Sequence, residues 1–119
     1  MNTGKPLNTK YVFEFQDGST VEMTLAFYAL YQLRSKKKGA YERYCATMNR
    51  MGEKNYVYEE LDTITILYAA YLCANLTDID NAMTEEEFMM KCGQDRESVS
   101  TAFTALTTAK KAKASVTHS

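Results

Sequence analysis

Residues 58–75 read Tyr-Glu-Glu-Leu-Asp-Thr-Ile-Thr-Ile-Leu-Tyr-Ala-Ala-Tyr-Leu-Cys-Ala-Asn. Leu61, Ile64, Leu67, Tyr68, Tyr71 and Leu72 recur at the three- and four-residue spacing of one helical face. Ile66, Ala69, Ala70 and Cys73 widen that face until little of the circumference is polar. Such a helix belongs in the centre of a small protein. Glu59, Glu60 and Asp62 occupy its first turn, where acid complements the positive end of the helix dipole. The stretch is too short and too often interrupted, by Thr65 and Asn75, to cross a membrane.

On the C-terminal side, Met83-Thr-Glu-Glu-Glu-Phe88 has the form of a capping box. Thr84 and Glu87 exchange bonds at a helix start, and Met83 faces Phe88 as a hydrophobic staple. That fourth helix ends at Gly93. Asp95 then caps a fifth, with Val99, Ala102, Phe103 and Leu106 on its inner face. The Ala/Lys/Ser/Thr-rich residues 108–119 are expected to form a disordered tail.

On the N-terminal side, Tyr41, Tyr44, Cys45 and Met48 mark a second helix, closed by Gly52. A first helix starts near Thr24. It carries Leu25, Tyr28, Ala29 and Gln32 on one face, with Phe27, Leu30, Tyr31 and Leu33 beside them. Its end is read at Arg34-Ser-Lys-Lys-Lys-Gly39, with Gly39 as the stop. Before it, Tyr11-Val-Phe-Glu-Phe15 and Val21-Glu-Met23 alternate around Asp17-Gly18, a hairpin signature. A lone hairpin is marginal in water, so it must lie against helices or another strand. Residues 1–10, with the only proline, Pro6, read as a flexible arm. The expected fold is mainly α: a bundle of about five helices with an N-terminal β-hairpin, forming one domain over residues 11–107.

With 119 residues, 45% of them apolar and 24% charged, the chain can bury a core without disulfides or metal. A net charge of -1 disfavours a dedicated nucleic-acid binder. The opening residues lack a signal peptide, and the three cysteines, Cys45, Cys73 and Cys92, do not suggest a disulfide framework. A cytoplasmic protein is therefore expected.

Catalytic and metal chemistry finds little to work with. The one histidine, His118, is second from the end, too loosely placed to serve as a catalytic base. The cysteines lie on apolar helical faces without ligand spacing, as buried free thiols do. Asp78-Ile-Asp80-Asn81 begins like a calcium loop, but Ala82, Met83 and Met89 stand where the template needs an oxygen ligand, glycine and glutamate. Arg34 with Lys36, Lys37 and Lys38 reads as a solvated helix end rather than a phosphate site, since the sequence shows no stacking aromatics in a basic groove around it. No enzyme activity, cofactor or metal is expected.

Nine tyrosines and seven methionines in so small a chain are the positive signal. Both residue types suit adaptable interfaces. Tyr28, Tyr31, Tyr41, Tyr44, Met48, Met51, Met89 and Met90 are the candidate partner-binding residues.

The run Phe27-Tyr-Ala-Leu-Tyr-Gln-Leu-Arg-Ser-Lys36, with Ala40-Tyr-Glu-Arg-Tyr44, Ile64 to Asn75, Met83 to Phe88 and Asp95-Arg96, resembles the tail assembly chaperones of long-tailed, siphovirus- or myovirus-like phages of Gram-positive bacteria. The preceding hairpin fits as well, so the resemblance covers residues 11–107. It implies a non-enzymatic, mainly helical protein that binds the tape measure protein, keeps its apolar helices soluble and helps recruit tail tube subunits. It further implies possible self-association, and action in the host cytoplasm without retention in the mature virion. Many members have a second, longer form made by ribosomal frameshifting, for which an A-rich run encoding Lys110-Lys111 is a candidate site. Two alternatives remain at this point: a small DNA-binding regulator with a helix-turn-helix-like core, and a structural tail subunit.

Overall fold

Asp17 starts the fold by turning the chain back on itself. Its carboxylate accepts hydrogen bonds from the Ser19 backbone N–H (2.9 Å) and hydroxyl (2.6 Å), and Gly18 supplies the positive φ of 89° that the turn requires. β1 (Tyr11–Glu14) and β2 (Thr20–Met23) then pair antiparallel, with Tyr11 opposite Met23 and Glu14 opposite Thr20. Alternation places Phe13, Phe15 and Met23 inward, all buried. The computed structural model describes the backbone of residues 10–118 and the side chains of residues 10–108. Most of the expected N-terminal arm lies outside that range.

Five α-helices follow: α1 (Phe27–Lys36), α2 (Lys38–Met51), α3 (Glu60–Cys73), α4 (Glu85–Cys92) and α5 (Arg96–His118). A 3-10 segment, Leu76–Asn81, bridges α3 and α4 where the sequence reading had a loop. The mainly helical bundle with an N-terminal hairpin is thus the observed architecture. Among the described residues, no helix is long and apolar enough to cross a membrane.

Three boundaries differ from the sequence reading. α1 begins at Phe27 rather than near Thr24, whose N–H donates to the Ala70 carbonyl of α3. Gly39 does not stop α1; it lies in the first turn of α2, and the break falls at Lys37, whose backbone (φ -144°, ψ 76°) is non-helical. That reversal brings Leu33 of α1 and Ala40 and Tyr41 of α2 against one core. The backbone of α5 continues beyond Thr107, where the sequence reading began a tail, to His118.

The central position of α3 follows from its composition: Ile66, Leu67, Ala69, Ala70, Tyr71, Leu72 and Cys73 are all buried. It packs against α1, α2, α4, α5, β2 and the 3-10 segment. Leu61, however, is 56% exposed rather than inward. At that end Asp62 faces in, because Arg50 of α2 (2.6 Å) and the Tyr56 hydroxyl (2.9 Å) satisfy its carboxylate. A paired carboxylate can be buried where an unpaired one cannot.

Phe88 joins the layers. Its ring lies 5.6 Å from Phe15 of the hairpin and 5.6 and 5.7 Å from Tyr68 and Tyr71 of α3. The capping box that starts its helix is present in full: Thr84 accepts from the Glu87 N–H (3.1 Å), and the Glu87 carboxylate accepts from the Thr84 N–H (2.9 Å). α4 ends at Gly93, whose φ of 61° is positive. Asp95 caps α5 by accepting the Ser98 N–H at 3.1 Å.

Candidate functional site

Seven of the nine tyrosines fall into two groups once the fold is in place, with Tyr11 on β1 and Tyr58 before α3 apart from both. Tyr71 is buried and Tyr68 half-buried, and both hydroxyls bond to the backbone of Met83. The Tyr56 hydroxyl donates to Asp62 and accepts the Glu59 N–H. These three hold the fold together.

The second group forms a surface strip across α1 and α2. α1 buries only Leu33 fully. Its opposite side leaves Phe27 75%, Tyr28 68% and Tyr31 60% exposed. Tyr28 and Tyr31, one turn apart, stack with centroids 6.1 Å apart and planes inclined by 21°. One further turn along, the Arg34 guanidinium lies over the Tyr31 ring at 5.4 Å and over the Tyr41 ring of α2 at 6.0 Å. Tyr41 then meets Tyr44 at 6.4 Å. The order Tyr28–Tyr31–Arg34–Tyr41–Tyr44 is therefore continuous, with Arg34 as the joint between helices.

Exposure falls along this strip. Tyr28 and Tyr31 stand in solvent, whereas Tyr41 and Tyr44 are half-buried and rooted in the bundle. Contact with the Cys45 thiol pushes the Tyr41 phenol above its ordinary pKa, and burial does the same for Tyr44. Both stay neutral at physiological pH. A partner therefore meets these two neutral phenols beside the Arg34 cation.

Of the other candidates, Met48 and Met51 continue α2 beyond Tyr44 at helical spacing and are half-buried. Met89 and Met90 belong to α4, away from the strip's chain of ring contacts. Met90, exposed, lines an open cleft of about 540 Å³ with Tyr71, Met83, Glu87 and Lys91. The structure thus joins the four tyrosines, places Met90 at a separate cleft and leaves Met89 half-buried on α4.

Arg34 and Phe27 were missing from the candidate residues. The spacing 28, 31, 34 carried the signal, since residues three apart share a helix face. Reading Arg34 only as a helix-end cation overlooked the rings on either side of it. The exposed trio Val57, Tyr58 and Leu61, before and within the first turn of α3, was also missed.

Burial pushes the thiols of Cys73 and Cys92 up to about 12 and about 11, so both remain protonated and poorly nucleophilic. Cys45 is half-buried rather than buried. Among the described residues, no three His, Cys, Asp or Glu side chains gather as a metal site. The His118 side chain lies outside the described residues.

Comparison with protein-family models, with curated proteins and with solved structures gave no match to this chain.

Proposed function

We propose that this protein is a tail assembly chaperone of a long-tailed phage, which binds the tape measure protein, keeps it soluble and helps recruit tail tube subunits. The resemblance across residues 11–107 supplies the client. The single structural observation that supports the reading is the exposed aromatic strip on α1 and α2.

The physical case begins with what the strip does in the free protein. Clustered rings in water forgo the stabilisation of burial, and a partner that covers them recovers it. Covering the exposed part of each of Phe27, Tyr28 and Tyr31 is worth roughly 2–4 kcal/mol before the costs of association. Tyrosine tolerates exposure better than leucine because its hydroxyl stays hydrated, so the protein can carry such a patch while waiting for its client. A client with apolar helical stripes lays one stripe along the rings, as amphipathic helices do in other grooves. No cofactor or covalent step is involved. Binding takes place in the cytoplasm of the infected or lysogenic host, and the chaperone leaves before the virion matures.

Co-expression tests this reading. A phage tape measure protein expressed together with the chain should remain soluble, and should precipitate when expressed without it. Equal solubility in both cases would remove the chaperone assignment. Stoichiometric presence in mature particles would point to a structural tail subunit, and a duplex-DNA shift at low salt to a regulator.

A further inference from the structure

Three of the four arginines each have their own carboxylate: Arg43 pairs with Glu85 at 2.9 Å, Arg50 with Asp62 at 2.6 Å and Arg96 with Glu60 at 2.5 Å. Arg34 is the exception. Among the described residues it has no carboxylate partner, and it is held instead between the Tyr31 and Tyr41 rings. A guanidinium placed over ring faces keeps its N–H edge free, and that edge is the part that grips a carboxylate in a two-bond fork. Its rotamer freedom is already restricted by the rings, so less entropy remains to be lost on binding.

The surroundings add to the same charge. Lys36 and Lys37 also lack an acidic partner among the described residues, and Lys38 has only Glu42 at 3.8 Å. For α1 these cations are well placed, at its carbonyl end. For α2 they are misplaced: its first turn contains no acid, and its N-cap makes no side-chain bond. Lysines crowded at the positive end of a helix work against its stability. A local rule broken in α2, and only partly offset by the Lys38–Glu42 pair and by the favourable end of α1, is what a binding surface produces.

From this geometry we infer that the α1–α2 strip selects amphipathic helical segments whose apolar stripe is flanked by carboxylates, with Tyr28, Tyr31 and Tyr41 covering the stripe and Arg34 forking the acid. The inference rests on the chaperone reading and narrows it to a client chemistry. Acid is favoured over phosphate on two grounds. The net charge of -1 gives no long-range pull on a polyanion. The cations also gather at the one junction between α1 and α2, whereas single strands need a basic groove that follows several phosphates.

Fluorescence anisotropy with three labelled peptides tests the assignment. Each carries the same leucine stripe at helical spacing, flanked by Glu, Gln or Lys. The full chain should bind the Glu-flanked peptide about tenfold more tightly than the Gln-flanked one and should bind the Lys-flanked one least. Arg34→Gln should abolish most of the Glu preference while retaining affinity for the Gln-flanked peptide. Lys36→Glu with Lys37→Glu should move the preference toward the Lys-flanked peptide, and Tyr28→Ser with Tyr31→Ser should weaken all three. Circular dichroism checks that each variant is folded. Equal affinity for the three peptides, an unchanged preference in Arg34→Gln, or displacement of the Glu-flanked peptide by a mixed-sequence single-stranded oligonucleotide would each overturn it. Client solubility in co-expression separates the two claims. A soluble client with no acid preference defeats this inference alone, and an acid preference with an insoluble client defeats the chaperone reading alone.

Discussion

Tyr68 and Tyr71, one turn apart on α3, grip the two polar groups of a single residue. The Tyr68 hydroxyl donates to the Met83 carbonyl at 2.8 Å, and the Tyr71 hydroxyl accepts the Met83 N–H at 2.9 Å. The residue so held immediately precedes the Thr84 cap, which fixes where α4 begins and where Phe88 enters the core.

Removing these hydroxyls one at a time should give unequal losses. Tyr71→Phe leaves a partly buried N–H with no acceptor, at a cost of about 1–3 kcal/mol. Tyr68→Phe frees a carbonyl, which is more readily left under-satisfied, and should cost less. Urea unfolding of both variants measures the difference, and equal midpoints would contradict the proposed asymmetry.

Core and strip aromatics should respond oppositely to truncation. Phe88 is fully buried against Phe15, Tyr68 and Tyr71, so Phe88→Ala should cost about 3–5 kcal/mol. Tyr28→Ser with Tyr31→Ser touches only exposed rings and should change stability by less than about 1 kcal/mol. Thermal melts for stability and co-expression for client solubility separate the two effects.

Gly93 should resist substitution for two reasons that can be told apart. Its φ of 61° and ψ of -121° disfavour any side chain, and a Cβ there would collide with the Gln16 side chain of the hairpin turn. Gly93→Ala should cost about 1–3 kcal/mol in backbone strain, plus the clash. Adding Gln16→Ala should recover the clash and leave the strain, a non-additivity visible in a double-mutant cycle.

Acid should weaken the fold through two carboxylates. Bonds from the Ser19 hydroxyl and N–H, with Lys91 at 3.0 Å, lower Asp17 from 3.8 to about 2, and the bond from Arg50 holds Asp62 below its ordinary value. Each favours the fold when ionised. The contribution is therefore complete well above the unfolded value of 3.8 and is lost as pH falls through the folded values, which for Asp17 is about 2. Stability measured from pH 7 downward should stay level to about pH 5 and then drop, with a shallower drop in Asp17→Asn.

Local signals in the sequence were sound where chemistry is local. The Asp17-Gly18 turn, the Thr84–Glu87 box and the Asp95 cap each involve residues within three positions, and each bond is present. Errors arose where distant segments decide. Leu61 follows the periodicity of α3 yet faces out, because Arg50 and Tyr56 draw Asp62 inward from residues that no periodicity connects. Gly39 was overvalued as a stop, since the need to return α2 to the core places the break at Lys37. For the site, the excess of tyrosine was legible, but composition could not say which rings hold the fold. Only the positions of Met83 and Asp62 remove Tyr56, Tyr68 and Tyr71 from the surface set.

The break between α1 and α2 is one residue long, and this makes the strip a calliper with a very short pivot. The turn at Lys37, one residue with non-helical dihedrals, brings Tyr31 and Tyr41 to either side of Arg34. Substitutions there can retune the span by degrees, but inserting one residue into α1 between Tyr31 and Arg34 would swing Tyr31 by about 100° around the helix away from Arg34. Sequence drift in this region should accordingly change residue types while preserving spacing, so that the count of seven from Arg34 to Tyr41 outlasts the identity of the residues between them.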